Sequence, residues 1–328
     1  MSGPSDSFQR PINYLRISVT DRCNLRCIYC MPAAGVRLVP RQDILTYEEI
    51  YTIAKAAAEL GINKVRITGG EPLARSGLPR LIEMLAQIDA IDEISLTTNG
   101  TLLSRYAAEL KSAGLRRVNV SLDTLRQDKF RFITRSGKNL GDVLEGIEIA
   151  KSVGLNPVKL NMVVMSGIND DELPDFAAKT IADEWHVRFI ELMPFAGEGT
   201  SAPRFVSAGE MRQQLELIGE LEPCLSSAGN GPAKYFRFPH AKGTVGFITP
   251  VSEHFCIHCN RLRLTADGKL RPCLLSDDEI DLKQPLRSGV SLAGLKKLIE
   301  EAVARKPLRH HLAEGYVPKE RPFSQVGG

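Results

Sequence analysis

Between Leu15 and Leu192 the chain alternates short apolar runs with amphipathic helical stretches. The runs predict strands at Leu15–Thr20, Lys64–Thr68, Glu93–Thr98, Arg117–Leu122, Pro157–Val164 and His186–Leu192. Helix patterns lie between them, from Thr46 to Leu60, then near Leu78–Ile88, Leu103–Ala113, Asp142–Val153 and Glu172–Ala182. Thr46 opens a T-Y-E-E capping signal, and Gly61, Gly114 and Gly154 stand where helix C-termini should stop. Such alternation means a parallel sheet with crossover helices. Roughly six units fall short of the eight in a closed barrel. The expected fold is therefore α/β, an incomplete (βα)6-type barrel or partial TIM barrel, with an open doubly wound sheet as the alternative.

Strand parity adds a second layer. A parallel strand covered on both faces should read as nearly continuous hydrophobics. Here Ile17 and Val19 oppose Arg16, Ser18 and Thr20, while Val65 and Ile67 oppose Arg66 and Thr68. The apolar set of V118-N-V-S-L-D123 opposes Asn119, Ser121 and Asp123, and that of V158-K-L-N-M162 opposes Lys159 and Asn161. One polar residue of this kind is a strand end meeting solvent. Recurrence on four strands predicts a wet, cationic lumen.

After residue 195 the pattern changes. F195-A-G-E-G-T-S-A-P-R and S226-S-A-G-N-G-P are turn-rich loops, with short strands predicted around Tyr235–Phe238 and Val245–Ile248. R261-L-R-L-T-A-D-G-K-L-R-P-C273 reads as a hairpin turning at Asp267-Gly268, with Arg261 and Arg263 opposite Leu262 and Leu264. A helix follows near Leu292–Ala304, then a basic tail ending in Gly327-Gly328. The expected division is a partial barrel over 1–195 and a C-terminal α+β extension over 196–328 that closes it.

Composition is that of an ordinary globular protein, with 43% hydrophobic and 25% charged residues. A formal charge of +3 is too small to imply nucleic-acid binding. The polar start M-S-G-P-S-D-S-F and the lack of a long apolar run predict neither signal peptide nor membrane span. Seven cysteines without a secretion signal point to a reducing cytoplasm rather than a disulfide framework.

Six of those cysteines form two triplets: Cys23, Cys27 and Cys30, then Cys256, Cys259 and Cys273. Cys224 stands apart as a bystander. Three thiolates bind an iron–sulfur cube at three of its four irons and leave the last open to a non-protein ligand, whereas an electron-carrying cluster normally has four cysteines. A zinc site would want four ligands in two pairs. Two open clusters imply chemistry, and a purely structural metal knot is the bland alternative.

The loop C23-N-L-R-C-I-Y-C30, followed by G69-G-E-P72, resembles the signature of the radical S-adenosylmethionine enzymes. The second triplet, with Arg261 and Arg263 beyond Cys259, narrows the resemblance to the GTP 3′,8-cyclase family of molybdenum cofactor biosynthesis. Y14-L-R-I-S-V-T-D-R-C-N, L96-T-T-N-G100, E191-L-M-P194 and the terminal Gly-Gly also match that family, so the likeness runs essentially end to end.

The resemblance implies two [4Fe-4S] clusters, one on Cys23, Cys27 and Cys30 and one on Cys256, Cys259 and Cys273. It implies S-adenosylmethionine contacts from Tyr29, Gly70, Ser121 and Met193. GTP contacts would come from Arg16, Arg66, Thr97, Lys159, Arg261, Leu262 and Arg263, with Arg16, Arg261, Arg263, Gly327 and Gly328 serving catalysis. A 5′-deoxyadenosyl radical would remove hydrogen from ribose C3′, and the C3′ radical would attack guanine C8. The product would be (8S)-3′,8-cyclo-7,8-dihydroguanosine 5′-triphosphate. Implied partners are an electron donor such as flavodoxin or ferredoxin and, transiently, cyclic pyranopterin monophosphate synthase; the family pattern also admits a homodimer. Two competing readings are a peptide-modifying radical enzyme, which would usually carry more cysteines at its C-terminus, and a non-catalytic iron–sulfur electron carrier, which the cationic lumen disfavours.

Overall fold

The computed structural model describes residues 3–194, 204–225 and 231–326. Six strands follow the predicted alternation: β1 (Tyr14–Ser18), β2 (Lys64–Thr68), β3 (Glu93–Thr98), β4 (Arg117–Ser121), β5 (Lys159–Val164) and β6 (His186–Glu191). The crossovers carry α1 (Tyr47–Glu59), α2 (Leu78–Ala86), α3 (Leu103–Ser112), α4 (Gln127–Thr134), α5 (Leu140–Ser152) and α6 (Leu173–Ala182). The capping box at α1 is present, with Glu49 N–H donating to Thr46 Oγ1 at 3.1 Å and Thr46 N–H to Glu49 Oε2 at 2.7 Å. Gly61 ends that helix with φ of 92°, a conformation costly for any residue with a Cβ.

The C-terminal residues add α7 (Ala208–Glu216), β7 (Glu222–Pro223), β8 (Lys234–Arg237), β9 (Thr244–Ile248), β10 (Arg261–Leu264), β11 (Lys269–Arg271), β12 (Ile280–Asp281), α8 (Lys283–Arg287), α9 (Leu292–Ala304) and α10 (Phe323–Val326). They do not form a separate layer. The described strands make one sheet in the order β12-β11-β10-β1-β2-β3-β4-β5-β6-β9-β8-β7. β10 pairs with β1 and β9 with β6, both parallel, so the later half adds one parallel strand to each side of the expected six. Antiparallel strands finish both edges, and β7 and β12 do not pair with each other. The extension widens the partial barrel without closing it through a strand ladder among the described residues.

One core joins sheet and helices. Ile17, Ile67, Leu96, Val118, Leu160 and Val187 are buried on the helix side of their strands and pack with Ile50, Ile53, Leu110, Ile147 and Phe176. The opposite face carries the polar set, aligned across the sheet. Arg263 registers with Arg16, Arg16 with Arg66, Thr97 with Asn119, Asn119 with Lys159, and Asn161 with Arg188. A doubly wound sheet would bury that face beneath helices; here it walls a cavity.

Four helices escaped the sequence pattern: α4, α7 and the short α8 and α10. α4 is only eight residues of Q-D-K-F-R-F-I-T, with Phe132 outward, and α7 follows a loop that broke the alternation.

Candidate active site

The cavity lies on the polar face and reaches both cysteine loops. Its wall includes Tyr14, Arg16, Arg66, Thr97, Ser121, Asn161 and Arg188 from the strands, and Tyr29 and Met193 from loops beyond them. Cys256, Cys259, Cys273, Arg261 and Arg263 line its other end, with Phe323 of α10. Asp123 is the sole carboxylate-bearing residue on that wall among the described residues.

The first cysteine loop leaves β1 and is pinned from several sides. Cys30 N–H donates to Cys27 O at 2.9 Å, and Leu25 N–H lies 3.4 Å from Cys23 Sγ. Arg26 and Ile28 donate their N–H groups to Thr134 O and Ile133 O, both at 2.9 Å, fastening the loop to the end of α4. The Tyr29 hydroxyl donates to Asp123 Oδ2 at 2.9 Å. Burial pushes Cys23 up to about 11 and Cys30 up to about 12, and Cys27 is raised well above the usual thiol range by burial and then the nearby Asp123. Thiols in such a place ionise only against a strong cationic partner, as iron would be. Among the described residues no group of three or more His, Cys, Asp or Glu side chains is arranged to hold a metal ion.

Gly69 and Gly70 follow β2 at close quarters with this loop. Gly70 N–H donates to Thr20 O at 2.7 Å, and a Cβ on Gly70 would stand 2.4 Å from Arg22 O. Even Ala would push the cysteine loop out of place. Glu71 is fully buried and accepts from Leu73 N–H at 2.9 Å, Thr98 Oγ1 at 2.8 Å and Asn99 N–H at 2.7 Å. Burial raises its pKa to about 7, against the pull of these donors. Glu71 is thus a brace between the ends of β2 and β3. Two other buried glutamates act alike at the same rim. Glu172 accepts from Thr124 Oγ1 and Leu125 N–H, both at 2.7 Å, and Glu191 accepts from Ala208 N–H at 2.9 Å and Val251 N–H at 3.0 Å.

The second triplet sits in an electropositive setting. Burial alone would raise Cys259, but the Arg261 guanidinium and Lys306 ammonium outweigh it and bring the thiol down to about 6. Arg261 Nη2 lies 3.5 Å from Cys259 Sγ. Lys306 is buried and donates to Arg261 O at 2.8 Å and Pro272 O at 2.7 Å. From the other side, buried Arg10 donates to Cys256 O at 2.6 Å, Pro307 O at 2.7 Å and Leu308 O at 3.0 Å, and pairs with Asp6. Two buried cations therefore hold the carbonyls around these cysteines. Cys224 lies at the β7 edge, its N–H bonded to Tyr235 O, away from both triplets.

Between the triplets the wall is cationic. Arg188 Nε, Thr97 Oγ1, Asn119 Nδ2 and Asn161 Oδ1 are buried without a hydrogen-bond partner among the described residues. Burial and neighbouring Arg261 push Arg263 down to about 9; burial pushes Arg188 to about 10, opposed by Tyr235. Guanidinium groups remain charged at neutral pH even so. A buried set of cations without matching carboxylates calls for an anion. Arg188 was not among the residues singled out from sequence, because Ile190 interrupts the polar alternation of β6. Its Nη2 donates to Asn119 Oδ1 at 2.7 Å.

Lys159 is fully buried on the polar face and donates to the Tyr235 hydroxyl at 3.1 Å. Leu262 points into the core opposite Arg261 and Arg263, which leaves only its backbone to a ligand. Arg321 of the basic tail pairs with Asp267 at 2.9 Å and Glu279 at 2.6 Å on the hairpin region. Gly327 and Gly328, and the loops at 195–203 and 226–230, lie outside the described residues.

Residues 17–179 match the model of the radical SAM superfamily, and residues 185–312 that of Molybdenum Cofactor Synthesis C. The GTP 3′,8-cyclase of Pelotomaculum thermopropionicum is 55% identical over 98% of this chain and 99% of its own length. That of Moorella thermoacetica is 53% identical, again over 98% and 99%. Among solved structures, Streptococcus suis SuiB bound to S-adenosylmethionine shares the fold with a TM-score of 0.60 at 14% identity, covering 87% of this chain and 68% of that one. Native anSMEcpe with bound AdoMet gives 0.58 at 13% identity, over 93% and 82%. Among the described residues no helix is long and apolar enough to cross a membrane.

Proposed function

This chain belongs to the GTP 3′,8-cyclase family of radical S-adenosylmethionine enzymes, and from that premise we propose how its residues divide the work. The family's chemistry uses S-adenosylmethionine and an iron–sulfur cluster in the service of molybdenum cofactor synthesis. One observation carries the assignment of parts: a single cavity touches both cysteine loops, and the wall between them is cationic.

Cys23, Cys27 and Cys30 would hold the first cluster, and Cys256, Cys259 and Cys273 a second. When bound, the first cluster with S-adenosylmethionine would supply the hydrogen-abstracting chemistry that starts ring closure between ribose C3′ and guanine C8, a closure that takes a further electron and a proton to reach the dihydro product. The protein's part is orientation and exclusion of water. Tyr29, Ser121, Met193 and the Gly70 turn would position S-adenosylmethionine beside the first triplet. Arg16, Arg66, Arg188, Arg263 and Thr97 would clamp GTP, with Lys159 on the same face, because planar guanidinium groups match phosphate oxygens in pairs. Guanine would then fall at the second triplet, near Arg261 and the Leu262 backbone. Gly327 and Gly328 would act at the cavity that Phe323 already lines. An electron carrier such as flavodoxin or ferredoxin, handover to cyclic pyranopterin monophosphate synthase and a cytoplasmic setting complete the reading.

The test separates the triplets. Cys27→Ser should abolish S-adenosylmethionine cleavage, whereas Cys259→Ser should keep some uncoupled cleavage and lose cyclised product. Each variant should lose about half of the bound iron. Equal loss of cleavage in both, with folding intact, would sink the division of labour.

A further inference from the structure

We propose that the outer face of the first cysteine loop, together with α4, is the docking surface for an acidic single-electron carrier protein. This rests on the functional reading above, which requires one electron at the first cluster for each cleavage.

Backbone hydrogen bonds from Arg26 and Ile28, the residues flanking Cys27, end on Thr134 and Ile133 of α4. The exposed side of α4 and of the turn after it is therefore one hydrogen-bonded step from a cluster ligand. That side is basic. Residues 22–42 contain Arg22, Arg26, Arg37 and Arg41 and no Asp or Glu; residues 129–141 contain Lys129, Arg131, Arg135 and Lys138 and again none. Arg22 pairs with Asp21, and Lys129 with Asp171 and Glu172. Of these, Arg26, Arg131, Arg135 and Lys138 are exposed and carry no ion pair among the described residues, whereas residues 37–42 run on toward α8 and α10, where Gln42 O accepts from Arg287 and Arg37 O from Gln325. The molecule as a whole is nearly balanced, at +3, so this concentration is local.

Phe132 of α4 is an exposed apolar side chain among these basic residues, at 61%. Basic residues beside an exposed apolar group are how a transient interface combines electrostatic steering with a small desolvated centre. Nucleic acid would also be drawn to positive charge, but the patch is short and set beside a redox ligand. An acidic carrier fits both features. In the step itself, an anionic flavin hydroquinone gives up one electron and keeps its protons as a neutral semiquinone, while the cluster gains that electron.

The test uses the anaerobically loaded enzyme and an acidic flavodoxin, reduced to its hydroquinone. The double variant Arg131→Glu/Lys138→Glu removes no group that touches the cavity; Lys55→Glu/Lys297→Glu, on exposed faces of α1 and α9, is the control. The patch reversal should weaken flavodoxin binding by calorimetry at low salt and slow flavodoxin-driven cluster reduction by about tenfold or more. Added salt should slow the wild type and narrow that gap. Dithionite-driven cleavage should stay unchanged, as should all behaviour of the control. Wild-type affinity and salt dependence in the reversed variant would overturn the docking surface, as would an equal loss with dithionite. If the wild type fails to cleave S-adenosylmethionine with dithionite, the functional reading falls, while the binding measurement still decides the surface.

Discussion

Tyr29 and Asp123 are joined by a 2.9 Å hydrogen bond that ties the first cysteine loop to the rim beyond β4. Asp123 Oδ1 in turn accepts from Val163 N–H at 2.9 Å, so the loop is referenced to β5 as well. Asp123→Ala should loosen that reference and weaken S-adenosylmethionine binding by about 1–3 kcal/mol, the usual cost of a lost charge-assisted bond. Tyr29→Phe should do the same more mildly. Calorimetry on anaerobically loaded protein reads both; unchanged affinity in Asp123→Ala would refute a positioning role.

Lys159 gives the site a pH signature. Burial pushes its pKa down to about 8, opposed by Tyr235 and assisted by Arg188. A triphosphate nearby would favour the charged ammonium and raise that value. Binding then takes up a proton in the interval between the free and bound values, so GTP affinity should fall as pH rises above about 8. Lys159→Arg should flatten the profile between about pH 7.5 and 9, since guanidinium does not titrate there. The informative comparison is the slope of log Kd against pH in the two proteins.

Lys306 should matter to the second triplet more than to the first. Lys306→Met leaves Arg261 O and Pro272 O without the donor that bonds them, at a cost of about 1–3 kcal/mol for each buried group left unmade. The variant should unfold earlier in denaturant and lose iron toward a one-cluster content. S-adenosylmethionine cleavage by the retained iron should persist. Full iron content would show that the carbonyls are held without it.

The tail is testable by removal. Tyr316 and Lys319 bond Asp277, and Gln325 Nε2 reaches Arg37 O at 2.9 Å, so residues up to Val326 are held against both cysteine regions. Deleting Gly327 and Gly328 should spare iron content and most GTP binding yet depress turnover. A truncated enzyme with full anaerobic turnover would exclude a role for the two glycines in turnover.

Much of the site was legible because strand parity survives tertiary context. Arg16, Arg66, Ser121 and Asn161 all stand on the wall that alternation assigned them, since a pleated strand cannot point successive residues the same way. Arg188 was hidden because Ile190 shares its face, and a lumen wall that turns apolar at its mouth breaks the pattern. Glu71 stood in the G69-G-E-P72 match, but its carboxylate is taken up by Leu73 N–H, Asn99 N–H and Thr98 Oγ1, which only the packed loop reveals. The roles of Arg10 and Lys306 depend on contacts with residues 246 and 34 positions away along the chain, and no local pattern encodes such pairs. α4 was missed because its apolar stripe is too short to stand out, although it supports the cysteine loop.

The pairing of β10 with β1 and of β9 with β6 also sets an order of events at the ribosome. When β1 to β6 have emerged, both outer edges of that nascent sheet still lack their neighbours, and β1 must wait for residue 261. Exposed edges of this kind recruit other strands and promote aggregation. A chain cut after residue 194 should therefore be poorly behaved even though it contains the whole first cysteine loop. Metal delivery to that loop before synthesis ends would act on an unfinished sheet. The boundary between the two sequence families is thus no boundary for folding, and the two cysteine sites mature as parts of one cooperative body.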